Sequence, residues 1–137
     1  MQVNVIHQMK YLNLFLALLF AVFAVVQLND PDPLFWMLIY GIVAFISAFA
    51  AFGKYNLWLM LAVLAVLIFE LFKLFPSISG WVQDGMPSIV SSMKAEEPHI
   101  EFVREFLGLA ICFVVLLFHY FNYRKRSIQR AAEEGID

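Results

Sequence analysis

Four apolar stretches, at residues 11–28, 33–52, 57–75 and 102–121, constrain this chain more than any other feature. Each is close to the length a helix needs to cross a hydrocarbon core of ~30 Å at ~1.5 Å per residue. Hydrocarbon offers no water to satisfy a free peptide group, so a helix, which bonds its own backbone, is the expected form of all four. Of 137 residues, 63% are apolar and only 15% charged, against roughly 25% charged in soluble proteins. The expected fold is therefore all-α: one polytopic membrane domain over residues 1–137, a bundle of four transmembrane helices with a long loop at 76–100 and a tail at 122–137. The first stretch follows Lys10 as a secretory signal would, but no small-x-small cleavage site precedes Asn29, so an uncleaved anchor is expected.

Orientation follows from lysine and arginine beside the spans. Lys10, Lys54, Arg124, Lys125, Arg126 and Arg130 fall on one side; Lys73, Lys94 and Arg104 fall on the other. Six against three predicts an N-in/C-in topology, both termini and the FGKYN turn cytoplasmic, in a plasma membrane or bacterial inner membrane. The outer side then sets three bases against eight acids, a net −5, and the inner side six against three, a net +3. The total of −2 hides that separation.

Small residues let helix backbones approach closely in a membrane. Ala17, Ala21 and Ala24 on the first span and Gly41, Ala44, Ala48 and Ala51 on the second predict a hairpin packed through these stripes. Trp36, Tyr40, Tyr55, Trp58, Tyr120 and Tyr123, near span ends, are expected as interfacial anchors. The loop 76–100 reads as irregular, with one or two short helices and with Ile89, Val90 and Met93 spaced to lie on the membrane surface. Pro98 suits the first turn of the last helix, which is expected to continue through IQRAAEE and stop at Gly135.

The polar residues that can carry chemistry gather on the outer side. Glu97, Glu101, Arg104, Glu105 and Gly108 share one helix face. Glu70, with Lys73 at i+3, lies at comparable depth, and the NDPDP turn holds Asn29, Asp30 and Asp32 nearby. Ionisable groups at such depth are costly and tend to face the bundle or a wet cavity. The expected site is a polar pocket walled by Asp30, Asp32, Glu70, Arg104 and Glu105. Three plainer readings stand beside it: an interfacial Glu70–Lys73 pair, a turn rich in Asn, Asp and Pro for backbone reasons, and an acidic helix start in AEEPHIE favoured by the helix dipole.

Three chemistries fit such a pocket. Asp30, Asp32, Glu101 and Glu105 with Asn29 offer oxygens to a hard divalent cation such as calcium. A carboxylate pair can serve as acid and base, and Arg104 can hold a lipid phosphate. Zinc is poorly served, because His99 is the one outer histidine while His7 and His119 are read on the cytoplasmic side. Cys112, the sole cysteine, allows neither an intrachain disulfide nor a cysteine metal motif. Nucleic acid is not an expected partner; the one basic run, YRKRSIQR, follows a span and faces anionic lipid. The expected partners are the bilayer and other membrane proteins.

QLNDPDPLFW with Tyr40 four residues on, followed late in the chain by EFVREFLGL, resembles the transmembrane protein 220 family. The resemblance runs from the first span to the fourth and implies a four-helix topology. It carries over Gln27, Asn29, Asp30, Pro31, Asp32, Trp36, Tyr40, Glu101, Arg104, Glu105, Gly108 and Leu109, and brings no reaction with it. The sequence thus leads to an integral membrane protein with an acidic ligand or cation site at its outer mouth, using Gln27, Asn29, Asp30, Asp32, Glu70, Glu101, Arg104 and Glu105. Alternatives are an accessory subunit of a membrane complex and a membrane-embedded enzyme acting on lipid.

Overall fold

The structure, a computed structural model, describes residues 2–89 and 98–135. Its order is α1 (Gln2–Val26), a 3₁₀ turn (Gln27–Asn29), α2 (Pro33–Ala51), α3 (Leu57–Gln83) and α4 (Pro98–Glu133), with no strand among the described residues. Three helices are long and apolar enough to cross a membrane: Asn4–Asn29, Pro33–Ala51 and Leu57–Gln83. The fourth, α4, contains the stretch 106–121, which has no Asp, Glu, Lys or Arg.

Local chemistry sets the ends. Pro33 opens α2 where its missing N–H costs no bond. Asn56 caps α3 by accepting from the Leu59 N–H at 3.1 Å. Gly135, at φ +67°, ends α4 where the sequence predicts the stop.

The loop expectation needs correction. Residues 77–83 are helical, because α3 runs through Pro76 instead of stopping there. A proline inside a helix removes one ladder bond and kinks the axis, but the continuation has its own terminus. The Met86 N–H bonds back to the Trp81 carbonyl at 3.0 Å and the Gly85 N–H to the Val82 carbonyl at 3.2 Å, with Gly85 at φ +85°. That is a Schellman ending. The Trp81 indole also donates to the Pro87 carbonyl at 2.9 Å, folding the exit against the helix. Ile89 is partly buried, whereas Val90 and Met93, the other members of the expected surface stripe, lie outside the described residues.

α1 packs along α2 and α3 along α4, and α2–α4 contacts join the two hairpins. One end of the bundle holds the 27–32 turn, the end of α3 and the start of α4; the other holds the 52–56 turn and the two chain ends. From their charges these are the acidic and basic ends.

The expected α1–α2 hairpin forms, but the alanine and glycine stripes serve it only in part: Ala24 and Ala44 pack against the core and Ala51 is buried. Ala21 is exposed, and a side chain at Gly41 would meet nothing within 4 Å. The buried residues of α2 are Trp36, Ile39, Tyr40, Val43, Ile46, Ser47, Ala50 and Ala51. Trp36 and Tyr40 are therefore core residues and not interfacial anchors, with Tyr40 meeting the Phe20 ring at 6.2 Å, Phe23 at 5.7 Å and Trp36 at 6.1 Å. Large rings fill the space between hairpins better than alanine, and dispersion rewards the contact. Trp58 is 79% exposed.

Candidate functional site

The NDPDP turn is built by its own side chains. The Asp30 N–H donates to the Gln27 carbonyl at 2.9 Å, and an Asp30 carboxylate oxygen accepts the Asp32 N–H at 2.9 Å. This is an Asx-type turn, so the backbone reading of these residues holds. It leaves Asp30 and Gln27 partly buried and Asn29 and Asp32 exposed.

Across from the turn, α4 presents Glu101, exposed, and Arg104 and Glu105, both partly buried. The Arg104 Nε–H donates to the Ile89 carbonyl at 3.1 Å, tying the loop to the helix start. Glu101, Asp30, Asp32 and Glu70 are near enough to Glu105 to act on it electrostatically. The 27–32 turn, α3 and α4 thus each bring carboxylates to the same end of the bundle. Glu97, read on the same helix face, lies outside the described residues.

Glu70 also has a partner of its own. Lys73 Nζ approaches its carboxylate at 3.0 Å and sits 5.5 Å from the Phe69 ring centre, so the interfacial ion pair expected as the plainer reading is formed. Among the described residues no three His, Cys, Asp or Glu side chains come together closely enough to hold a metal ion. Asp30, Asp32, Glu101 and Glu105 share a field and, as they stand, do not form a coordination cage.

Below the mouth, the Tyr40 hydroxyl is seated against Gly108: a β-carbon at Gly108 would collide with that oxygen and lie 3.3 Å from the ring's Cζ. Only a residue without a side chain admits the ring. Leu109 beside it is fully buried. On the flank, a cleft of about 540 Å³ between α3 and α4, lined by Phe72, Phe75, Phe106 and Phe113 among others, holds no ionisable group.

A second polar group, whose members Asn13, Ser47 and His119 are not brought together by the sequence, lies toward the basic end. Ser47 Oγ and His119 Nε2 are hydrogen-bonded at 2.9 Å, with both residues fully buried. His119, read from the sequence as lying on the cytoplasmic side, is thus inside the bundle toward its basic end. Asn13 is 1% exposed. Its level follows from the hairpin register: Phe20 faces Tyr40, and moving seven residues along each antiparallel helix pairs Asn13 with Ser47. The Asn13 Oδ1, His119 Nδ1 and Asn122 Nδ2 atoms are buried without a hydrogen bond. A signal for His119 was available, since Glu105, Gly108, Cys112 and His119 continue one helical face.

The family described as "Transmembrane family 220, helix" matches residues 19–121, which include the turn, the aromatic floor, the start of α4 and His119. Neither a curated protein nor a solved structure matches the chain. With most of its length matched, from within α1 to within α4, the chain belongs to transmembrane family 220.

Proposed function

We propose that this integral membrane protein crosses the bilayer four times with its basic end in the cytoplasm, and that its acidic end is an outward-facing site for a cationic ligand. The supporting observation is the surroundings of Glu105, on which carboxylates from the 27–32 turn, α3 and α4 all act. Like charges gathered beside a low-dielectric bundle are unfavourable unless protons or a cation offset them. Lys73, on the exposed flank, is engaged with Glu70.

The spacing of the carboxylates bears on the kind of cation. A stripped divalent ion draws roughly six or more oxygens to short distances, and no such convergence exists among the described residues. A hydrated cation or an organic ammonium, which meets carboxylates singly, suits the mouth better.

The test is thermal unfolding of the purified chain in neutral detergent, with calcium, magnesium, ethanolamine or spermidine added in turn at matched ionic strength. Glu105→Gln and Asp30→Asn are run beside the parent. At least one cation should stabilise the parent, by about 2.7 kcal/mol at a hundredfold excess over its Kd, and neither variant should respond. If no cation stabilises the parent and Glu105→Gln alone lowers stability by a few kcal/mol, the mouth is an internal lock of the kind a structural subunit needs.

A further inference from the structure

At the basic end, α1 leans on α2 and α4 on α3, and between the first turns of α1 and the last turns of α4 lies a cleft of about 870 Å³. Its two walls differ in chemistry. The α1 wall is apolar, made of Val5, Ile6 and Met9; the α4 wall carries Asn122, Lys125 and Arg126. These polar residues begin one position beyond the apolar stretch 106–121, the depth at which lipid phosphates lie if that stretch crosses the membrane.

The polar wall is prepared for an anion. Among the described residues neither Lys125 nor Arg126 has a carboxylate within ion-pair distance. The Arg126 guanidinium is nevertheless held in place, 5.6 Å from the Tyr55 ring centre and against Gly53, where a β-carbon would meet its Nη1. Gly53, at φ +73°, both turns the chain and leaves room for that group. Asn122 adds an amide donor, Nδ2, that is buried and makes no hydrogen bond. Two cations without a carboxylate partner among the described residues and an orphaned donor on one side, with an apolar wall opposite, match an anionic headgroup attached to an acyl chain. Glu133 lines the cleft too, and is the single carboxylate there among the described residues.

We propose that the cleft between α1 and α4 binds an anionic phospholipid, its phosphate on Asn122, Lys125 and Arg126 and its glycerol and first methylenes along Val5, Ile6 and Met9. The apolar wall is what favours a lipid over a soluble phosphate, which would leave that wall in water. This site is independent of the acidic mouth.

The full chain in neutral detergent is titrated with dioleoylphosphatidylglycerol, dioleoylphosphatidylcholine or sn-glycerol 3-phosphate, and bound molecules are counted by native mass spectrometry. The phosphatidylglycerol adduct should form at concentrations at least about tenfold below phosphatidylcholine. Lys125→Gln with Arg126→Gln should weaken it about 25-fold, from roughly fivefold per cation near a headgroup. Lys54→Gln with Arg124→Gln, at the same end but outside the cleft, should leave it unchanged. Because Arg126 also packs on Tyr55, Arg126→Lys serves as a second variant that keeps the charge and should retain binding within about fivefold. Equal uptake of the two lipids, or equal loss in the Lys54 and Arg124 variant, overturns the site in favour of a general surface field. Glycerol phosphate saturating at the same concentration as phosphatidylglycerol overturns the lipid assignment.

Discussion

α2 and α4 meet at two levels, and the two contacts use opposite means. Toward the acidic end, the Tyr40 ring presses on Gly108 below a set of partly exposed carboxylates. Toward the basic end, Ser47 and His119 share a hydrogen bond from which solvent is excluded. The difference shows how this bundle distributes polarity. Where it keeps charge, it leaves the groups at a rim and seals the bundle beneath them with aromatic rings. Where it buries polar side chains completely, at Asn13, Ser47 and His119, it uses neutral or neutralisable groups, because burying an unpaired charge costs far more.

The largest expected effect tests the outer contact. Gly108→Val should destabilise the bundle by about 3 kcal/mol, the upper part of the usual overpacking range, since the Tyr40 ring is confined by Phe20, Phe23 and Trp36. Tyr40→Phe in the same chain removes the colliding oxygen and should recover part of the loss, as unfolding of all four combinations would show. Full additivity of the two changes would mean that the contact is not what separates them.

Next comes the inner contact. His119→Leu leaves the Ser47 hydroxyl buried without its partner and should cost about 2 kcal/mol, whereas Ser47→Ala combined with His119→Leu should be milder than the single change. The sign of that difference, read from melting temperatures, separates a hydrogen bond from mere packing. Glu105→Gln should have a still smaller effect of the opposite sign, stabilising by about 1 kcal/mol or less at neutral pH without added cation, because it removes one member of a like-charged set. A clear destabilisation there would erase the contrast drawn between the two levels. Smallest of all, Glu70→Gln should change stability by no more than about 0.5 kcal/mol, the usual worth of an exposed i,i+3 pair; Lys73 is 55% exposed in this one.

Much of the architecture is present in the sequence by itself. The apolar lengths of α1, α2 and α3, the proline that opens α2, the cap at Asn56 and the stop at Gly135 depend on neighbours a few residues away, and those are visible along the chain. That the NDPDP turn and the start of α4 lie at the same end of the bundle was also legible, because a helix hairpin and a helix start on one side must share that end. What only the tertiary structure decided concerns faces and seams. It placed Trp36 and Tyr40 in the core, moved the close approach from Gly41 to Gly108, extended α3 past Pro76 and brought His119 to Ser47. In spans that are apolar all round, hydropathy does not mark which face meets a neighbouring helix and which meets lipid. That choice comes from the fit of rings, glycines and hydrogen-bonding atoms between helices, and those partners are distant in the chain.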